Sequence, residues 1–260
     1  MNIGRISAAF VIYGTLMATG ANAQSMRDLI RGKTTKDSTK SEGSGNILNQ
    51  INKKLGGNSS NLSAAEVAEG LKAALDQGVA KGTSQLSAVD GFLGNAAVKI
   101  LLPPEAKKVE QTLRGIGMGR QVDQAITSMN RAAEDAAKSA APIFLNAIKS
   151  MTIQDAFSIL TGKEDAATQY LQRQTTMELT DAFRPVIDNS LEKVDATKHW
   201  NTIFTNYNRV SADKINPDLS QYVTERALNG VFYQIAQEEA NIRKNPGARS
   251  SEILKKVFAN

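Results

Sequence analysis

From Leu62 onward, apolar residues recur at helical spacing, with little of the period-two alternation that marks strands. Ser63-Ala-Ala-Glu66 is a capping-box pattern, and Val67, Leu71, Ala74 and Leu75 behind it fall on one helical face. Thr152-Ile-Gln-Asp155 repeats the device ahead of Phe157, Ile159 and Leu160, with Gly162 as the stop. Between these two, Val109, Leu113 and Ile116 share a face of a helix over residues 107–116. After a glycine-interrupted turn, Val122, Ile126 and Met129 open another, which runs into an alanine-dense stretch that lets helices approach closely. Pro142 predicts a kink or a new start ahead of Ile143, Phe144, Ala147 and Ile148. Tyr170, Leu171, Leu179, Ala182 and Phe183 form a helix that Pro185 should kink or end, with Val186, Ile187 and Leu191 on its continuation. Trp200, Phe204 and Tyr207 recur at i, i+4 and i+7 as an aromatic stripe. The last long helix begins near Pro217 and runs to about Arg243, before Pro246-Gly247, and a terminal turn spans residues 253–258.

The clearest break in this pattern is Asp90-Gly-Phe-Leu-Gly-Asn95 followed by Val98-Lys-Ile-Leu-Leu-Pro-Pro104, where prolines and β-branched residues favour an extended path. The prediction is a mainly α protein: a single multi-helix domain over residues 62–260 with one short extended or β-hairpin-like segment packed on the helices.

The first sixty residues read differently. Arg5 precedes a largely apolar run over residues 6–18, and Ala21-Asn22-Ala23 follows as a small-residue cleavage site, the order of a secretory signal peptide. About 12 to 13 apolar residues fall short of the roughly 20 that span a bilayer. Residues 1–23 are therefore expected to be removed between Ala23 and Gln24. No cysteine stands at the cleavage site to carry a lipid, so the expected destination is the periplasm, without an anchor. Residues 24–61 are rich in Gly, Ser, Thr, Lys and Asn and are expected to form a disordered basic linker. Within it, Leu48, Ile51 and Leu55 make one weak amphipathic turn, too short to be stable alone but able to touch a membrane surface or a partner.

Composition then narrows the chemistry. The chain of 260 residues has a formal net charge of +5, of which Arg5 and the linker supply all, so the body from residue 62 is neutral. That balance argues against a nucleic-acid-binding face, which would need clustered positive charge. Without cysteine there are no disulfides, thiolate nucleophiles or iron–sulfur clusters, and a single histidine, His199, cannot build the usual histidine metal sites.

Gly115-Ile-Gly117-Met-Gly119-Arg120 lacks the Lys-Ser/Thr of a phosphate loop and the preceding strand of a dinucleotide fingerprint, and it reads as a turn between helices. No catalytic, cofactor-binding or metal-binding set is identified. The adjacent carboxylates Glu134-Asp135, Glu164-Asp165 and Glu238-Glu239 point about 100° apart on a helix and do not make a dyad. Glu164-Asp165 are expected to cap the helix that begins at Ala166, and Glu239 with Arg243 to be ordinary surface support. The polar residues of most interest lie on faces expected to be buried. Asn130 and Glu134 stack at i, i+4, with Arg131 beside them, and Arg226 shares the stripe of Leu219 and Val223. Arg184, Thr168 and Tyr170 complete the candidate cluster. It is either an internal lattice of ion pairs and hydrogen bonds fixing helix register, or a pocket for an anionic ligand at Arg131, Arg184 and Arg226.

Several ordered motifs, among them Asp90-Gly-Phe-Leu, Met129-Asn-Arg-Ala-Ala-Glu134, Met151-Thr-Ile-Gln-Asp-Ala156, Phe183-Arg-Pro-Val186 and Asn216-Pro-Asp-Leu-Ser-Gln-Tyr-Val-Thr-Glu225, resemble the bacterial domain-of-unknown-function family 4197 over nearly all of residues 62–260. The resemblance implies an exported, mostly helical envelope protein of proteobacteria and carries over no catalytic residues. Where that family more often shows Ile-Pro-Leu-Pro, this chain has Ile100-Leu-Leu-Pro-Pro104.

The function expected is a non-enzymatic binding or interaction module of the cell envelope, engaging an envelope protein or a small anionic ligand. Two alternatives stand beside it. One is a carboxylate-based hydrolase or lyase assembled by the fold, with Glu134 and His199 as its candidates. The other is a membrane-surface or assembly protein acting through the basic linker.

Overall fold

A computed structural model describes residues 63–194, 196–210, 214, 216–245 and 255. The expected signal peptide, its cleavage site at Ala23 and Gln24, the linker and, Lys255 aside, the terminal turn lie outside the described residues. Among those described there are eight α-helices and no strand: α1 (Ala64–Ser87), α2 (Lys107–Gly115), α3 (Gly119–Ala137), α4 (Ala140–Ser150), α5 (Ile153–Leu160), α6 (Ala166–Glu192), α7 (Ala196–Val210) and α8 (Leu219–Lys244). A 3-10 turn at Pro104–Ala106 precedes α2.

The local signals act as the sequence predicts. The Ser63 hydroxyl accepts from the Glu66 amide while the Glu66 carboxylate accepts from the Ser63 amide, starting α1. Thr152 and Asp155 do the same for α5. Pro142 sits in the first turn of α4, where its missing N–H costs nothing. Pro185 does not end its helix. α6 runs through it to Glu192, and the ring is on an exposed position, where the carbonyl it leaves unpaired can reach water.

Two long helices, α6 and α8, pack against each other at the centre, with α1 and α3 laid against them and α4, α5 and α7 closing the sides. Phe92, Phe144, Phe183, Leu71, Leu179 and Ile187 are among the fully buried side chains, and Phe144 meets Phe232 edge-on at 5.8 Å between centroids. Ala132, Ala133, Ala136 and Ala137 are all buried on α3, so its backbone lies close to α6.

The segment between α1 and α2 is an extended arm, with no hairpin. Residues 88–98 turn repeatedly, with Asp90 at φ 67°, and residues 99–103 then run without pairing to any strand. Val98 and Ile100 are buried while Lys99 and Leu101 face out, so the arm lies flat across α3 and α8. On α8 it settles over Gly230: a Cβ there would come within 2.6 Å of the Phe92 ring and 3.3 Å of Val98.

Candidate functional site

The arm is held by side chains of α3. Asn130 is fully buried; its Oδ1 accepts from the Ile100 N–H at 2.8 Å, and its Nδ2 donates to the Ile100 carbonyl at 2.8 Å and to the Ile126 carbonyl at 2.7 Å. The amide thus takes the place of a neighbouring strand for one residue of the arm, leaving no backbone group of Ile100 unsatisfied. One turn on, the buried Glu134 accepts from the Phe92 and Leu93 amides through Oε1 and from Arg131 Nη1 at 2.6 Å through Oε2. Arg131 also donates to Asp90 at 2.8 Å, and these two carboxylates hold its guanidinium more firmly protonated than usual. Both oxygens of Glu134 are engaged and the side chain is buried against an arginine, so the role of free acid or base in a hydrolase does not fit it. Nothing is described of the side chain of His199.

With Ile100 turned to Asn130, the opposite edge of the arm faces α8 across an open cleft of about 440 Å³. Leu101, Leu102 and Pro104 line it from the arm; Tyr222, Arg226, Asn229 and Tyr233 line it from the helix. The Tyr222 hydroxyl donates to the Leu101 carbonyl at 2.8 Å, and burial pushes its pKa up, opposed by the charge of Arg226. The Arg226 guanidinium lies 5.4 Å from the centre of the Tyr222 ring, a cation–π contact, and the same ring stacks with Trp200 at 6.5 Å between centroids. Lys99 and Arg226 bring two positive charges to the lining, which contains no carboxylate.

The candidate cluster is therefore several separate arrangements. Asn130, Arg131 and Glu134 form the latch on the arm. Arg184 pairs with Asp218, the residue that caps α8, and with Asp188 at 3.9 Å. Thr168 lies elsewhere, donating through its amide and hydroxyl, each at 2.8 Å, to Glu239. Tyr170 is buried near that end of α6, and burial raises its hydroxyl pKa. Arg226 is not buried as its spacing from Leu219 and Val223 suggests. It is exposed, because those residues mark the rim of the buried arc of α8 and Arg226 falls just beyond them.

Two expectations about carboxylates are overturned at the start of α6. Asp165 makes no cap to the backbone: its Oδ2 accepts from the Gln169 side chain, and Glu164 pairs outward with Lys244. The cap comes from across the fold, where the buried Glu239 accepts from the amides of Ala167 and Thr168, with Arg243 at 2.8 Å completing its shell. Glu239 and Arg243 are thus an interior pair. The signal was in the sequence, since Ile235, Glu238, Glu239 and Ile242 stand at i, i+3, i+4 and i+7 and share the buried face. By contrast, no spacing rule marks the edge of the arm at Lys99 and Leu101.

Among the described residues no helix is long and apolar enough to cross a membrane, and no group of three or more His, Asp and Glu could hold a metal ion. A family model described as a protein of unknown function, DUF4197, matches residues 61–259. No curated protein and no solved structure matches the chain.

Proposed function

The chain belongs to the DUF4197 family of proteins of unknown function, and from its own geometry we propose that it is a non-enzymatic binding module whose site is the cleft between the arm and α8. The reading rests on one observation. Of the three candidate arginines, Arg131 and Arg184 are neutralised by carboxylates, while Arg226 meets an aromatic ring in an open cleft whose lining also carries Lys99 and no acid, the nearby Glu105 acting on Tyr222 only through space. A cation on the rim of an apolar, aromatic lining favours an anionic ligand or an acidic surface. The signal-peptide pattern of residues 1–23 extends the proposal: the protein is exported to the periplasm, starts at Gln24 and meets its ligand or partner in the envelope.

Native mass spectrometry of protein purified gently from its own periplasm tests both parts. The chain should begin at Gln24 and carry extra mass that denaturation releases. Arg226→Glu should arrive bare while its melting temperature stays within about 2 °C of the parent, because the side chain is exposed and lies off the core. A parent that arrives bare, or a load that survives the substitution, would remove the cleft from consideration.

A further inference from the structure

The arm presents more than charge to this cleft. In an extended chain the N–H and C=O groups of alternate residues point to the same edge, so the edge opposite Ile100 carries those of Leu101 and the carbonyl of Lys99, while the Lys99 N–H is turned back to the Asn95 carbonyl at 2.9 Å. The Leu101 carbonyl lies on that edge, since it accepts from Tyr222 on α8. Its second lone pair remains available, and the Leu101 N–H has no hydrogen-bond partner among the described residues. The Leu101 side chain is 55% exposed and leaves the backbone accessible. Behind the edge the arm cannot retreat, because Asn130 grips Ile100 on the far side and Phe92 and Val98 fill the space over Gly230. A short run of extended backbone with one free N–H and a carbonyl that keeps a lone pair, held rigid and set beside an aromatic wall, resembles the geometry by which a sheet edge accepts a guest strand.

We infer that the occupant of the cleft is an extended, acidic segment of polypeptide that lies along the Lys99–Leu101 edge of the arm, an inference that rests on the cleft being the binding site. The guest's main chain pairs with the Leu101 N–H and C=O. Its carboxylates meet Lys99 and Arg226, and its apolar side chains cover Leu101 and Tyr233. A small anion would use the cations alone and leave the edge unpaired, which separates the two kinds of ligand.

The test follows hydrogen exchange at the Leu101 amide in the mature chain. Two probes are compared: a pool of capped heptapeptides alternating aspartate with random apolar residues, and succinate as a small dianion. The peptide pool should slow Leu101 exchange about tenfold, the protection of one added hydrogen bond, while succinate leaves it unchanged. Lys99→Gln combined with Arg226→Gln should abolish the protection. Binding of each probe is read in parallel by titration calorimetry: Leu101→Pro removes the N–H at an exposed position whose predecessor is already extended, so the variant should fold and lose the peptides while its affinity for succinate matches the parent's. If either probe binds in a manner that needs Arg226 while Leu101 exchange stays as fast as before, the extended-peptide inference fails and the cleft reading survives. If neither probe shows binding that depends on Arg226, both fail.

Discussion

Replacing Asn130 by aspartate changes one NH₂ into an oxygen and little else in size, so it isolates the chemistry by which the arm is held. The Ile100 N–H keeps its acceptor. The Ile100 and Ile126 carbonyls, at 2.8 and 2.7 Å, then face an oxygen in place of a donor, inside a site with no solvent exposure. A buried acceptor left without its donor costs about 1–3 kcal/mol, and a carboxylate buried without a counter-charge adds to that, so the expected loss at pH 7 is about 3–5 kcal/mol. The loss should depend on pH. Desolvation and two facing carbonyls favour the neutral acid in the native state, which raises its folded pKa above the unfolded value near 3.9. The neutral form binds one proton more than the unfolded carboxylate across the interval between those values, so the deficit grows as pH rises through it and shrinks as pH falls toward about 4. The protonated acid can also donate to one of the two carbonyls. Urea denaturation of the parent and Asn130→Asp at pH 4.5, 6 and 7.5 measures the difference directly. A variant within about 0.5 kcal/mol of the parent at pH 7.5, or a deficit that does not move with pH, would refute the claim that Asn130 clamps the arm as described.

Three further outcomes test the rest of the architecture. Glu239→Gln can no longer accept through both oxygens from Ala167 and Thr168 and leaves Arg243 without its carboxylate, so it should lose about 2–4 kcal/mol in a denaturant titration, whereas Asp165→Ala, which removes no backbone cap, should lose less than about 1 kcal/mol. In thermal melts, Gly230→Ala, which forces a methyl to within 2.6 Å of the fully buried Phe92 ring, should destabilise by about 1–2 kcal/mol even after the helical preference of alanine is counted; Gly115→Ala, with open space at its Cβ, should be neutral or slightly stabilising. Hydrogen bonds from the Thr152 hydroxyl and amide hold the Asp155 carboxyl below its ordinary range, so its contribution is present above the unfolded pKa and lost as pH falls through the lower folded one; Asp155→Asn should be about 0.5–1 kcal/mol less stable at pH 7, with the gap closing below about pH 4.

The helices were legible because their determinants are local. Ser63-Ala-Ala-Glu66 and Thr152-Ile-Gln-Asp155 carry both halves of a capping box within four residues, and periodicity places Val67, Leu71 and Leu75 on the buried face of α1 without knowledge of what they meet. Asn130 and Glu134 were legible as special, being polar residues one turn apart on an alanine-rich face, but what they bind was not. Their partners, the amides of Phe92, Leu93 and Ile100, lie 30 to 42 residues away and belong to the backbone, which carries no residue-type signal.

Arg226 and Glu239 mark the limit from opposite sides. Spacing from Leu219 and Val223 sent Arg226 inward, and the i, i+4 pair with Arg243 made Glu239 read as surface support although it shares a face with Ile235 and Ile242; the fold reversed both, because where the covered arc of α8 ends depends on where α1, α6 and the arm come to rest. Sequence by itself determined the helical class, the caps and starts of α1 and α5, the break in pattern between α1 and α2, the neutral body and the family resemblance, all properties of neighbouring residues or of counts. Only the tertiary structure decided that the break is an arm clamped by an asparagine, that the cap of α6 arrives from Glu239 some seventy residues away, and that a cleft with two cations opens beside the free edge of Leu101. Those features depend on burial and on contacts between distant segments, and such contacts exist only once the helices have packed.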